Sequence, residues 1–259
     1  MEAPVRALDV YRQQQSSGAA ADLEGALAML ASARDGRLGP ALRIYRPQPT
    51  VAFGQRDARL PGFAAAAAAC REQGFEPLVR KAGGRAAAYH GGCLILDHIE
   101  PEPNAVARSL ARFAGFAELL ATALQDAGVP AEVGEIPGEY CPGEYTVHGG
   151  TGDARIKLVG TAQRVVSGAW LFSSVVVVRN ADPLRRVLTS VYAALGLEWD
   201  PATAGAAEDL VPGLTMDEAE TALLGGYGRY AGLRQGDVSL LEEITGGPVP
   251  VLPTIARCP

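Results

Sequence analysis

The sequence predicts an α+β fold: a mostly antiparallel sheet flanked by helices, packed on one side of it. Three observations carry this expectation. Helix and strand patterns mix at first, strand patterns then run together between residues 145 and 178, and helical patterns return after them. The regular strand–helix alternation of a doubly wound nucleotide-binding sheet is missing. Apolar residues make up 48% of the 259 positions, enough to bury a sizeable core.

Taken in order, a first helix is expected over 20–34, with Leu23, Ala26, Leu27 and Leu30 on one face and Gly36 as its stop. Residues 42–46 and 50–53 alternate apolar and polar and read as strands joined through Pro47 and Pro49. Six alanines at 64–69 give a helix over 63–73, because alanine is the best helix former. Residues 75–81 read as a strand entering a glycine turn, and 93–99 as another. Asn104 is expected to cap a long helix to 127, burying Ala105, Leu110, Phe113, Leu120 and Leu124 and stopping at Gly128 and Pro130.

After an irregular Pro/Gly-rich stretch at 134–144, strands are expected at 145–148, 155–159, 162–166 and 169–178. The β-branched run 175–178 places the last of these centrally. Asp182 caps a helix with Pro183 in its first turn and Gly196 at its end. Thr215 with Glu218 forms a capping box, and Ser239 with Glu242 repeats the pattern. Residues 1–196 read as the main domain and 197–259 as a helical C-terminal extension.

Bulk properties exclude several classes. The net charge is −6, no basic run occurs and aromatics are 6%, so no nucleic acid is expected as a partner. The most apolar segment, 169–178, matches a buried strand and is too short to span a bilayer. Residues 1–15 carry no apolar stretch of the signal-peptide kind, and a cytoplasmic location is expected. The four cysteines at 70, 93, 141 and 258 form no CxxC pair, which argues against a disulfide framework or a zinc site. His90 and His98 flank the Cys93 strand, but their spacing is not that of a metal site.

The chain has 21 arginines and only two lysines, Lys81 and Lys157. Lysine differs from arginine in being a compact point charge, so these two positions are candidates for a specific need for an ammonium. Lys81 lies in Arg80-Lys81-Ala82-Gly83-Gly84-Arg85, a glycine pair among three cations. Glycines admit close backbone approach and successive amides can cradle an anion, although a glycine pair alone also makes an ordinary turn. Lys157 lies between Ile156 and Leu158, which point to the opposite strand face. It either snorkels to solvent or enters a pocket, where it can stabilise developing negative charge. Cys141 lies in a Pro/Gly-bounded loop, either as a half-buried small residue or as a nucleophile. His148 is the nearest histidine in sequence to serve as its base. Cys70 on the alanine helix and Cys93 on an apolar strand read as packing.

Taken together, these segments resemble the lipoate–protein ligase and octanoyltransferase family, related to biotin protein ligase, over about residues 20–195. The stretch from Arg43 to Gly54 looks like the family's opening hairpin, Gly74 to Ala86 like its glycine-rich acyl-binding segment, and Lys157 to Arg164 like its lysine motif. Glu139-Tyr140-Cys141-Pro142-Gly143-Glu144-Tyr145 ahead of that motif resembles the amidotransferase branch. Two positions depart from the family pattern: Ala82, where a hydroxyl is common, and Ala87-Ala88-Tyr89-His90-Gly91, where bulkier apolar residues are usual.

The resemblance implies a biotin/lipoate protein ligase-like catalytic domain over 1–196. It implies an N-acyltransferase with Cys141 as thioester nucleophile and Lys157 at the acyl carbonyl. Arg80, Lys81, Gly83, Gly84 and Arg85, with Gly160, Thr161 and Ala162, then bind the substrate. The implied donor is an octanoyl or lipoyl carrier protein, the glycine-cleavage H protein. The implied acceptors are lipoyl domains of 2-oxoacid dehydrogenases. No cofactor or metal is required for that reaction. The alternatives are an ATP- and Mg-dependent lipoate ligase built on Lys157, an octanoyltransferase drawing on acyl carrier protein, and a non-catalytic acyl- or carrier-binding protein.

Overall fold

The computed structural model describes residues 7–253, so Cys258 lies outside the described residues. Three long strands frame it: β6 (Cys93–Glu102), β9 (Ile156–Val166) and β10 (Gly168–Val177), with β10 between the other two and antiparallel to both. The large sheet continues past β6 through β2 (Ala41–Tyr45) and β1 (Ala7–Gln13) to β11 (Gly232–Gln235). Past β9 it continues through β8 (Val147–Gly149) to β7 (Ala131–Val133), and β12 (Val251–Leu252) joins β1. Only β1–β2 and β1–β11 run parallel among the described pairings of this sheet; the rest are antiparallel, as expected. A second, three-stranded sheet holds β3 (Thr50–Phe53) between β4 (Glu76–Val79) and β5 (Ala87–Tyr89).

Alternation along β6 and β10 sorts the core into layers. Leu94, Leu96, Trp170, Phe172 and Val176 join one cluster with α3 (Ser109–Asp126) and α5 (Met216–Tyr230). Their neighbours face the other way. There, Ile99 and Leu171 lie under α1 (Ala19–Arg34) and α6 (Val238–Thr245). Cys93, Ile95, Val175 and Val177 lie under the small sheet with α2 (Phe63–Glu72) and α4 (Asp182–Leu195). Helices thus cover both faces rather than the single side expected: both residue sets of the central strands are apolar, and each needs a cover.

Several local expectations are corrected. Helix α3 begins at Ser109, not after Asn104, and Leu110 is 71% exposed while Ala105 is 2%. The Arg112 guanidinium donates to the Ala105 carbonyl and to Glu102 (2.8 Å), holding 102–105 as a turn. The two strands expected at 155–159 and 162–166 are one strand, because Gly160 stays in register opposite Val175. Asp182 is the first residue of α4 rather than its cap, and Asp237, not Ser239, caps α6 by accepting from Ser239 N (3.0 Å) and Leu240 N (3.3 Å). The capping box of Thr215 and Glu218 on α5 is present. Residues 197–253 hold α5 and α6, and also β11 and β12, which pair with β1.

Candidate active site

A cavity of about 680 Å³ opens on the face between α1 and the small sheet. Leu23 and Leu27 of α1, Ala52 and Ala87 of the small sheet, and Ile95, Leu171 and Val175 of the large sheet give it apolar walls. Its size and lining suit a small acyl chain. Its polar rim comes from three segments: residues 79–84, residues 140–146, and β9 with Lys157, Gly160, Thr161, Ala162 and Arg164.

Cys141 stands at that rim, half-buried, with φ +45, a left-handed backbone that few non-glycine residues adopt. Its sulfur receives the Arg85 backbone N–H at 3.2 Å and an Arg80 guanidinium N–H at 3.6 Å. Its own N–H donates to the Tyr192 hydroxyl (2.7 Å), which donates onward to the Ala86 carbonyl (3.0 Å). Burial pushes the Tyr192 phenol above its usual range, so that hydroxyl keeps the proton it donates. Gly84 explains why the glycine pair is there: at φ +100, a Cβ on it would sit 2.8 Å from the Cys141 sulfur and 2.5 Å from Arg80 Nη2. Gly83 meets nothing comparable.

Lys157 is 2% exposed and reaches the cysteine loop from below. Its ammonium lies 2.8 Å from Glu139 Oε2 and donates to the carbonyls of Tyr140 (3.0 Å) and Cys141 (2.9 Å). It also lies 4.8 Å from the Tyr140 ring centre, a favourable cation–π position. An ammonium has three protons, and all three have acceptors here. Gly160 leaves room for this side chain; a Cβ there would approach Lys157 Cε to 3.3 Å. Glu139 in turn accepts from Thr146 Oγ1 (2.9 Å) and from the backbone N–H groups of Gly143 (3.3 Å) and Ile136 (3.4 Å).

The sequence profile of the lipoyl protein ligase A/B catalytic domain matches residues 21–224. The chain belongs to that family. It is 32% identical over 192 residues to octanoyl-[GcvH]:protein N-octanoyltransferase of Geobacillus kaustophilus, an alignment covering 73% of this chain and 65% of the relative. It is 32% identical over 114 residues to lipoyl-[GcvH]:protein N-lipoyltransferase of Listeria monocytogenes, covering 42% of this chain and 40% of that one. The match therefore spans less than two thirds of these curated relatives. Among solved structures, a bipartite lipoate protein ligase from Thermoplasma acidophilum superposes with a TM-score of 0.69 at 19% identity, over 95% of this chain and 91% of that one. Lipoate-protein ligase A bound with ATP superposes with a TM-score of 0.70 at 18% identity, over 92% of both chains. These likenesses establish the lipoate-ligase fold.

Within this member of the lipoyl protein ligase A/B family, the structure gathers most of the residues singled out from sequence. Arg80, Gly84, Cys141 and Lys157 converge within a few ångströms, and Gly83, Gly160, Thr161 and Ala162 line the same cavity. Lys81 is exposed at the rim, where its carbonyl accepts from Arg164 (2.9 Å). Arg85 contributes only its backbone N–H to the thiol, because its side chain pairs with buried Asp57 at 2.9 Å. His148 is 4% exposed beside Gly134 and supplies no hydrogen bond to the sulfur. Burial pushes the Cys70 and Cys93 thiols up to about 12, which makes both inert at neutral pH. Two contributors had no sequence signal of their own, Asp57 and Tyr192. Glu139 stands at the head of the cysteine motif, but the sequence assigned it no role.

Proposed function

We propose that this chain is an N-acyltransferase that moves an octanoyl or lipoyl group from the glycine-cleavage H protein to lysines of lipoyl domains, through a thioester on Cys141. The observation that carries this reading is the placement of the Cys141 sulfur at the mouth of an apolar cavity, under the Arg85 N–H and the Arg80 guanidinium. Both donors aim at the sulfur where it meets the cavity, the place from which it would attack an acyl carbonyl. Named relatives at about a third identity that act on GcvH support the choice of donor.

In the first step the Cys141 sulfur bonds to the acyl carbon and the amide C–N bond of the donor breaks. The thiol's proton leaves with the donor lysine as its free amine. In the second, the amine of an acceptor lysine attacks the thioester, and the sulfur regains a proton as the new amide forms. The thioester is the high-energy species, so the first step is drawn forward by the second. The oxyanion of each step forms next to the sulfur, where Arg80 and the Arg85 N–H supply positive potential. Arg80 Nε is buried with no hydrogen-bond partner of its own. Lys157, expected from the family resemblance at the carbonyl, acts in this arrangement by holding the nucleophile's loop. Neither ATP nor a metal enters either step, in keeping with a cytoplasmic enzyme working between two carrier proteins.

The test is acyl transfer between purified octanoylated H protein and an apo lipoyl domain, with and without ATP and magnesium. Transfer at equal rates in both supports the proposal. Transfer that requires ATP and free octanoate makes the chain a ligase.

A further inference from the structure

The Cys141 loop is fixed by one buried carboxylate. Glu139 has a fully buried side chain, and four groups converge on it: the Lys157 ammonium, the Thr146 hydroxyl within 2.9 Å of both oxygens, and the N–H groups of Gly143 and Ile136. Those contacts close the loop on itself from both sides of the cysteine. Lys157, held by Glu139, then grips the carbonyls of Tyr140 and Cys141. The Cys141 backbone sits at φ +45, a conformation that surrounding contacts must enforce.

We propose that Glu139 is the positioning residue of this enzyme: by neutralising Lys157 and tying residues 136–146 together, it sets the Cys141 sulfur beneath the Arg85 N–H. The inference rests on Cys141 being the nucleophile. Glu139 does not line the cavity and acts only through the loop and Lys157. Three parts of the geometry require a carboxylate. Its charge matches an ammonium that is 2% exposed, its Oε2 faces that ammonium while its Oε1 takes two backbone N–H groups, and no other acid reaches Lys157 among the described residues. Without it, the ammonium is left buried and uncompensated, and the loop loses its internal ties.

The experiment compares wild type with Glu139→Gln and Glu139→Asp. For Glu139→Gln, kcat for transfer is expected to fall about 100-fold, the cost of a displaced reacting group, while KM for the octanoylated donor changes less than about threefold. Glu139→Asp keeps the charge and restores about a tenth or more of the lost rate. A second readout uses no acyl donor: iodoacetamide labelling of Cys141, followed by peptide mass mapping, slows about tenfold in Glu139→Gln as the thiol leaves its donors. That arm separates the two hypotheses, since it reports on the loop even if wild type transfers nothing. If Glu139→Gln does not fold, the double variant Glu139→Gln/Lys157→Met removes both charges together, and the same low kcat is expected from it. Wild-type kcat and labelling in folded Glu139→Gln, or in the folded double variant, overturns the proposal. So does an equal loss in Gln and Asp variants that tracks only their melting temperatures.

Discussion

Arg43 and Lys157 are both buried cations held by carboxylates, and they do different things. Arg43, with a side chain 2% exposed, pairs with Asp22 at 2.7 Å and Asp97 at 3.6 Å, and donates to Gln13 (2.8 Å) and to the Asp22 carbonyl (2.9 Å). Its partners belong to α1, β1 and β6, so it ties a helix to the sheet. Lys157 is equally buried, but its acceptors are three consecutive loop residues, 139–141, ending in a thiol. A buried ion pair is therefore no mark of function on its own. What separates the two is what they hold: regular elements in one case, a left-handed cysteine at a cavity mouth in the other.

The largest effect is expected at Cys141. Cys141→Ala lowers transfer about 1,000-fold or more, while the denaturant midpoint stays near wild type, since the sulfur fills little core. Next come the cations. Lys157→Met and Arg43→Met each strand buried carboxylates, and each is expected to cost about 3–5 kcal/mol by denaturant unfolding. Only Lys157→Met also loses transfer per folded molecule; Arg43→Met retains it. Equal losses of transfer in both would erase the distinction.

Smaller effects sharpen it. Tyr192→Phe removes the acceptor of the Cys141 N–H and the donor to Ala86, which costs about 1 kcal/mol in stability. Transfer is expected to drop about tenfold, a loss worth about 1.4 kcal/mol. The smallest concerns Asp97. Burial pushes its carboxyl above the usual 3.8, against the opposing pull of Arg43. Above the usual value the unfolded chain has lost this proton while the folded one keeps it, so stability falls as pH rises through that window. Asp97→Asn removes this part of the fall. Urea midpoints followed from about pH 4 to pH 8 read the difference, and parallel curves for the two proteins would contradict it.

Much of this site was legible in local sequence. The scarcity of lysine pointed to Lys157, the cations around Gly83 and Gly84 to a ligand loop, and the Pro/Gly frame to Cys141. Each signal lies within a few residues. What stayed hidden depends on contacts made across the chain. Tyr192 meets Cys141 from 51 residues away, and Asp57 takes Arg85 from 28. The same holds for the fold. The long strands and most helices follow from periodicity, whereas β1, β11 and β12 form an edge of the sheet only because distant segments pair there. The role of Lys157 shifted for a related reason: strand alternation shows that it points inward, but not that three acceptors wait for it.

The most direct test of the account is intact mass after incubation with octanoylated H protein, without ATP. One octanoyl group gained by wild type and absent from Cys141→Ala is the expected result. No adduct in wild type, with acyl transfer appearing only when octanoate, ATP and magnesium are supplied, would contradict the thioester mechanism.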